Sequence, residues 1–279
     1  MNRIVDLPTE CVDHIALYLD HDDLHALELT CSLLRQCCLL GAYWKKLAQQ
    51  LLTTTSSREF KWKNLACACA SMEESDQQAK QASLLQHVHE ASSVDRADAE
   101  SPSNTLHISH CYREMRRLRS ESACQNLFDY TIQRLMCSCP SGHCYWSSAP
   151  SFSRAHDDFI EYAILGPCIL AAIGLIPYKA FWQLGSPGYA PLEVSISLIR
   201  ADAQVYYTSP CYSVANSMEL QTFDLPQRVL LLQDTRVRVN FLGKRQYEYD
   251  MLESDEPRRY YCCLSYVGVT GLLLPSDFL

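Results

Sequence analysis

Residues 7–24 read LPTECVDHIALYLDHDDL, and this stretch decides how the first part of the chain folds. Pro8 and Glu10 suit the first turn of a helix, where a missing backbone N–H costs nothing and a carboxylate faces the positive end of the helix dipole. Asp20 can cap a second helix, because its side chain can accept a hydrogen bond from a free N–H of the first turn. The apolar residues between these signals have the i, i+3, i+4, i+7 spacing of one helix face: Val12, Ile15, Ala16 and Leu19. The stretch therefore predicts two helices, the first with an apolar side.

Two more helical stretches follow, one through residues 33–38 and one that begins near Tyr43, so we expect a compact set of helices over residues 1–52. Residues 53–90 are predicted to be a helical linker, because apolar residues recur at helical spacing on both sides of a polar Glu, Gln and Ser stretch. Residues 92–104 are then rich in Ser, Asp and Ala, which indicates a loop or a domain boundary.

After Cys144 the pattern changes from the period of helices to the period of strands. The predicted strands are Phe159–Leu165, Ile169–Ile176, Leu192–Ile199, Ala203–Thr208, Glu219–Phe223, Val229–Leu232, Arg236–Phe241 and Tyr260–Val267. Short strands without intervening helices indicate an antiparallel sandwich or jelly roll, because parallel pairs need long crossovers. We therefore expect an α+β fold class, with a β-sandwich over residues 91–279 and a helical insertion near residues 110–140.

The amino-acid composition excludes some classes of protein. The chain has 279 residues, of which 48% are hydrophobic and 20% charged, and this is enough for two folded units. A net charge of −8 makes general nucleic-acid binding an unfavourable interpretation, because duplex affinity depends on Lys and Arg. The sequence has no signal-peptide pattern and no apolar run of about 18 residues, so we expect reduced cysteines, no membrane association and a place in the cytoplasm and/or nucleus.

The N-terminal segment resembles the F-box over its full length. The residues that carry the resemblance are Leu7-Pro8-Thr9-Glu10, Ile15, Leu19, Asp23-Leu24, Cys31 and Tyr43-Trp44-Lys45-Lys46-Leu47. In F-box proteins the corresponding positions pack against a Skp-type adaptor, which links the chain to a cullin scaffold and a RING subunit. The resemblance implies that the adaptor-binding residues, at or just behind the interface, are Leu7, Pro8, Ile15, Leu19, Leu24, Leu27 and Trp44. Leu34 stands where many F-boxes have Trp, which implies weaker packing, and an ordinary helical hairpin is the alternative interpretation.

The second half of the chain is similar to plant-type F-box proteins whose C-terminal region resembles a galactose-binding-like jelly roll. Segments that carry this similarity include Tyr145-Trp146-Ser147-Ser148 and Leu220-Gln221-Thr222-Phe223-Asp224-Leu225-Pro226. Polar residues beside a Trp suit the end of a sandwich, where loops meet and form binding surfaces. The candidate partner-binding loop consists of Ser92, Ser93, Tyr145, Trp146, Ser147 and Ser148. The alternative is that Trp146 is a core aromatic without a ligand.

The sequence contains no Gly-rich phosphate loop, His-Glu-x-x-His or Gly-x-Ser-x-Gly motif, so neither an enzyme nor a cofactor is indicated. A cluster of thiols and an imidazole is a weak zinc candidate with poor ligand spacing, and it comprises Cys137, Cys139, His143 and Cys144.

The resemblance leads to one functional expectation and two alternatives. We expect a non-catalytic substrate-recognition subunit of an SCF-type (Skp-cullin-F-box) E3 ubiquitin ligase, which recruits an unknown protein substrate for ubiquitination. The first alternative is an F-box protein with a carbohydrate- or small-ligand-binding jelly roll. The second is an F-box protein that acts outside the ligase.

Overall fold

The computed structural model describes residues 4–40, 43–54, 60–75, 83–109, 112–113, 116–117, 144–181, 183, 185–248 and 258–275. A helical unit comes first and a β-sandwich follows, so the predicted α+β class is confirmed. The expected helical insertion near residues 110–140 lies largely outside the described residues.

The helical unit contains a 3-10 turn and five α-helices. The turn is Ile4–Asp6, and the helices are α1 (Thr9–Ala16), α2 (His21–Thr30), α3 (Ser32–Leu40), α4 (Tyr43–Leu51) and α5 (Trp62–Ser75). The predicted cap of α2 is confirmed, because Asp23 N donates to Asp20 Oδ1 over 2.8 Å. Leu24, Leu34, Trp44 and Leu65 are buried in this unit and bring α2 to α5 together.

The sandwich is built from short strands. They are β1 (Leu52–Thr53), β2 (Leu85–Ala91), β3 (Trp146–Ser147), β4 (Asp158–Ile164), β5 (Cys168–Pro177), β6 (Pro191–Ile199), β7 (Val205–Thr208), β8 (Tyr212–Ser213), β9 (Gln221–Leu231), β10 (Arg236–Lys244), β11 (Gln246–Glu248), β12 (Arg259–Tyr261) and β13 (Cys263–Leu273). One sheet has the order β1-β9-β5-β13-β3 and the other β2-β4-β10-β6-β7, with β8 on β6, while β11 and β12 form a hairpin-like pair. The β-sandwich prediction is therefore confirmed.

Strand β10 shows the alternation that its sequence predicts. Val237, Val239 and Phe241 are buried between the two sheets, while Arg236 and Arg238 lie on the outer face and are partly exposed. These residues pair with β4 on one side and β6 on the other, so β10 is a central strand.

Strand β2 (Leu85–Ala91) corrects one expectation, because its residues 85–90 were expected within a helical linker. Its pairing with β4 has register shifts between Leu85 and His87 and between Val88 and Glu90. Each shift adds one residue to β2, so Leu85, Val88 and Ala91 all reach the sandwich core. Two bulges thus give a strand the three-residue apolar spacing that resembles a helix. We propose residue 83, rather than 91, as the start of the sandwich.

Strand β9 runs through Pro226, where two separate strands were expected. The pairing of β5 with β9 jumps from Leu170↔Val229 to Ala172↔Asp224, so Pro226 lies in a bulge. A proline can stay in a strand at a bulge because no ladder hydrogen bond is required of its nitrogen there.

The helical unit and the sandwich are joined by shared packing and by backbone pairing. β1 continues directly from α4 and pairs in parallel with β9, in the register Leu52↔Arg228. Ile169, Leu230 and Leu274 belong to the same buried cluster as the helical residues Trp44 and Leu65. The helices therefore cover the outer face of the β1-β9-β5-β13-β3 sheet, which explains why β5 is apolar on both faces.

Candidate functional site

The helical unit exposes an unusual number of large apolar side chains for its size. Among the described side chains of this unit, eight large apolar ones are exposed: Ile4, Leu7, Ile15, Leu17, Tyr18, Leu29, Leu33 and Leu39. They lie in the turn before α1, in and just after α1, and on α2 and α3. Exposed apolar side chains in such number are typical of surfaces that bind a partner.

The predicted adaptor-binding residues fall into two groups. Leu7, Pro8 and Ile15 are exposed, so they are available to a partner. Leu19 and Leu27 are partly buried against the helical core. Leu24 is fully buried and Trp44 is 4% exposed, so these two support the surface from behind.

Three helices meet at the carboxylate of Glu28. Trp44 Nε1 on α4 donates to Glu28 Oε1 over 2.7 Å, and Lys63 on α5 donates to Glu28 Oε2. The Lys63 ammonium also lies 5.2 Å from the Trp44 ring centre. Burial alone would raise the pKa of Glu28, but the hydrogen bonds from Lys63 and Trp44 and the positive charge of Lys63 lower it overall.

The candidate partner-binding loop is mostly buried, and its interpretation as an exposed binding surface is corrected. Trp146 is 0% exposed and packs against Phe241, with ring centres 5.5 Å apart. Its Nε1 donates to the Ser93 carbonyl over 3.1 Å. Ser147 and Ser148 are 3% and 0% exposed. A tryptophan inside the sandwich cannot stack on a ligand from solution, so it is a core aromatic.

The serines of this set, with the exception of Ser147, surround a buried ion pair. Ser92 and Ser93 each donate to Asp158 Oδ1 over 2.9 Å. Lys244 Nζ lies 2.9 Å from Asp158 Oδ2 and donates to Ser148 Oγ over 3.0 Å. Both Asp158 and Lys244 are buried, so these hydrogen bonds offset the desolvation of the charges. The cluster ties β2, β4 and β10 to the segment after β3.

A cavity of about 70 Å³ opens beside this cluster, at the end of the sandwich. Tyr145 and Ser147 line it, so two residues of the predicted loop do reach a concave surface. The other lining residues were not predicted as site residues: Asp95, Arg96, Glu100, Tyr178, Ala180, Gln183, Tyr189, Glu248, Tyr261 and Cys263. The sequence offers one local signal for this cavity, the i, i+4 spacing of Arg96 and Glu100, which favours an ion pair. The tyrosines are brought next to this pair only by the fold.

Glu100 is the most deeply buried charge of the cavity, at 1% exposure. Its Oε1 accepts hydrogen bonds from Arg96 and, over 2.6 Å, from the Tyr145 hydroxyl. Its Oε2 receives no hydrogen bond within the part of the chain that the structure describes. Burial, together with the neighbouring charge of Glu100, raises the pKa of Asp95 on the same wall.

Four tyrosines line another part of the cavity. Tyr145 and Tyr178 are stacked, with ring centres 4.0 Å apart, and Tyr189 and Tyr261 meet edge to face at 6.3 Å. Burial raises the pKa of Tyr145, Tyr178 and Tyr189 well above the ordinary value. Burial, and then the charges of Glu248 and Asp95, raises the pKa of Tyr261 to about 12. All four phenols are therefore neutral at physiological pH.

The weak zinc candidate falls mainly outside the description. Cys137, Cys139 and His143 lie outside the described residues, and Cys144 is buried with its thiol 4.0 Å from the Tyr178 hydroxyl. No group of three or more His, Cys, Asp or Glu side chains suited to a metal ion occurs in the described ranges. Among the helices that the structure describes, none is long and apolar enough to span a membrane.

The chain thus consists of a helical unit with an exposed apolar surface and a β-sandwich joined to it. Residues 4–50 match the family described as F-box-like, so this segment, from the first turn to α4, is an F-box-like domain. The chain is also homologous to an F-box protein of Arabidopsis thaliana, with 28% identity over 159 residues. That match covers 48% of this chain and 40% of the relative, so the chain spans less than half of the relative's length.

Solved structures similar to the chain include carbohydrate-binding modules. A chitosan-binding module of a chitosanase/glucanase from Paenibacillus sp. IK-5 is 13% identical, with a TM-score of 0.39, and covers 68% of this chain and 100% of that one. The family 32 carbohydrate-binding module of Streptococcus pneumoniae EndoD is 8% identical, with a TM-score of 0.38, and covers 68% and 99%.

Proposed function

We propose that this chain is the substrate-recognition subunit of an SCF-type E3 ubiquitin ligase. The F-box-like domain binds a Skp-type adaptor, through which the chain reaches a cullin scaffold and a RING subunit, and the β-sandwich holds a protein substrate. One observation carries this proposal: the F-box-like domain exposes large apolar side chains on a unit that shares a buried core with the sandwich.

The exposed side chains support adaptor binding. Leu7 is 41% and Ile15 38% exposed, and both lie at positions where the F-box resemblance implies contact with the adaptor. Covering apolar surface is favourable by about 25 cal/mol for each Å² that is removed from water. A Skp-type adaptor with a complementary apolar groove would gain this free energy.

The joint between the two parts supports substrate positioning. Besides the pairing of β1 with β9, Arg228 Nη1 donates to the Cys69 carbonyl of α5 over 3.1 Å. Thr53 Oγ1 donates to Gln227 Oε1 over 2.8 Å. A fixed joint holds a substrate at a defined distance from the ligase and so raises its effective concentration there. In this proposal the chain is a non-catalytic adaptor, and the ubiquitin-transfer chemistry belongs to other subunits.

The test is co-purification of the full chain with a Skp-type adaptor. The double variant Leu7→Asp/Ile15→Asp should bind the adaptor at least about 100-fold more weakly, because two carboxylates would be buried in an apolar interface. Phe152→Asp is the matched control, since Phe152 is 70% exposed but lies on the sandwich. Adaptor binding that survives in the double variant, or that Phe152→Asp reduces equally, would contradict the proposal.

A second measurement separates the ligase from the alternative role outside it. The purified complex of chain and adaptor is mixed with a cullin scaffold that carries its RING subunit. Assembly of the four proteins supports the ligase. Adaptor binding without the cullin would instead support an F-box protein that acts outside the ligase.

A further inference from the structure

We propose that the tyrosine-lined cavity at the end of the sandwich binds the cationic end of a Lys or Arg side chain of a protein partner. The inference rests on the proposed function, because it gives the substrate-recognition part of the chain a chemical preference. Four features carry it: the unsatisfied oxygen of Glu100, the charge of the wall, the aromatic faces and the size of the cavity.

Glu100 supplies the first feature. Its residue exposure is 1%, and Oε1 is already engaged by Arg96 and Tyr145. Oε2 is left without a hydrogen-bond donor among the described residues. A buried carboxylate oxygen without a donor is unfavourable. Because Oε2 is covered by protein atoms, a cation in the cavity is stabilised first by the charge of Glu100, and it gains the hydrogen bond to Oε2 when the carboxylate turns toward it. A guanidinium or an ammonium is the strongest donor to a carboxylate, since both partners are charged.

The wall carries an excess of negative charge. Asp95, Glu100 and Glu248 contribute carboxylates, whereas Arg96 is the one cation among the lining residues that the structure describes. Arg259 lies opposite Glu248 in the β11–β12 pair, and although it does not line the cavity, its charge offsets part of this excess. Arg96 is held on the Oε1 side of Glu100 and its side chain is 67% exposed. A second cation is therefore accommodated by the remaining carboxylates.

The aromatic faces and the size favour a side-chain end over a larger molecule. Tyrosine rings attract cations through their electron-rich faces, and Tyr261 is the one of the four tyrosines that is partly exposed. At about 70 Å³ the cavity is far smaller than the roughly 300–1,000 Å³ of pockets that enclose whole small molecules. An aliphatic stem that leads out to a partner chain lets a cationic head enter such a cavity alone.

The backbone that carries several of the lining residues is held in place by hydrogen bonds. Tyr178 N donates to the Cys263 carbonyl over 2.9 Å, Cys263 N to the Tyr189 carbonyl over 2.9 Å, and Tyr189 N to the Tyr178 carbonyl over 3.0 Å. Three of the lining residues are thus fixed to one another by backbone hydrogen bonds. A binding group that is already in place loses little entropy when its ligand arrives.

The experiment titrates the full chain with N-acetyl-arginine amide, N-acetyl-lysine amide and the neutral N-acetyl-citrulline amide, followed by NMR and isothermal calorimetry. The arginine probe should bind with a dissociation constant on the order of 1 mM, since a ligand of this size makes few contacts. It should bind at least about tenfold more tightly than citrulline, which has nearly the same shape but no charge. Equal binding of arginine and citrulline, or of galactose as a neutral polyol, overturns the proposal.

Variants locate the site. Glu100→Gln and Glu248→Gln should each weaken the arginine probe at least about fivefold. Asp98→Asn is the matched control, because Asp98 is an exposed carboxylate in the same loop as Glu100 but does not line the cavity. Glu248 is itself exposed, so its variant remains informative if Glu100→Gln fails to fold. Unchanged binding in Glu248→Gln and in folded Glu100→Gln, or an equal loss in Asp98→Asn, overturns the proposal.

The proposed function is judged by a different readout. Adaptor co-purification uses the helical unit and does not involve the cavity. A chain that binds the adaptor but not the arginine probe refutes only the cavity proposal. If the chain binds the probe but not the adaptor, the cation-site proposal is supported and the proposed ligase function is contradicted.

Discussion

Trp44 donates its indole N–H to the carboxylate of Glu28 over 2.7 Å, and Glu28 is only 6% exposed. Trp44 lies on α4 and Glu28 on α2, and Lys63 on α5 donates a hydrogen bond to the same carboxylate. A tryptophan that the F-box resemblance places at the end of the unit is thus held by a buried charge. This contact fixes the helices whose outer surface we propose for adaptor binding.

Replacing Glu28 with Gln should destabilise the helical unit by about 2 kcal/mol, because two charge-assisted hydrogen bonds become weaker and Lys63 loses its ion pair. Urea unfolding of the full chain measures the change. Asp22→Asn is the control, since the Asp22 side chain is 82% exposed and its place in the first turn of α2 limits the expected loss to less than about 1 kcal/mol. Equal effects of the two variants would show that the buried contact contributes nothing specific.

The Glu28 contact should also depend on pH. The pKa of Glu28 is lower in the folded protein than its ordinary value of 4.5, so folding favours the charged form. The contribution is fully present above the unfolded pKa and is lost as pH falls through the folded pKa. Thermal unfolding of the native chain and of Glu28→Gln from pH 7 to pH 3 tests this, and the advantage of the native chain should shrink as the pH falls. An advantage that grows on acidification would show that the sign is wrong.

The two faces of β10 should respond differently to mutation. Val239 is fully buried, so Val239→Asp should prevent folding, since a carboxylate without a partner would enter the core. Arg238 Nε donates over 2.8 Å to Glu161, which is 1% exposed. Arg238→Gln should cost about 1–2 kcal/mol, because Arg236 still pairs with Glu161. Circular dichroism and urea unfolding decide the order of the two losses. Equal losses would contradict the register.

Two glycines of the β5–β13 pair should differ sharply when they are replaced with Ala. A Cβ at Gly271 would lie 1.9 Å from the Ile169 carbonyl oxygen, so one backbone would have to move. We expect Gly271→Ala to cost about 3 kcal/mol. A Cβ at Gly174 meets its nearest atom, on Leu220, at 3.6 Å, which is ordinary contact. Gly174→Ala should change stability by less than about 1 kcal/mol, and a comparable loss in both variants by thermal unfolding would refute the close approach.

Local pattern was enough to predict much of the fold. The cap at Asp20 was confirmed, because a helix start depends on residues within one turn. The alternation in β10 was confirmed, because a strand between two sheet neighbours must place every second side chain in the core. The F-box-like segment was recognised because its order and spacing of apolar and acidic residues are local as well.

Other features depend on contacts between distant parts of the chain, and only the tertiary structure decided them. Residues 85–91 have a spacing that fits a helix, but the open edge of β4 accepts them as a strand with two bulges. Trp146 suits a binding loop by sequence, but its pairing with Leu264 across β3 and β13 places the indole inside the sandwich. The cavity brings Glu100 together with four tyrosines from four other segments of the chain, and no local sequence pattern predicts this arrangement. Backbone pairing and burial are set by what the rest of the chain leaves available, so these features followed from the fold and not from periodicity.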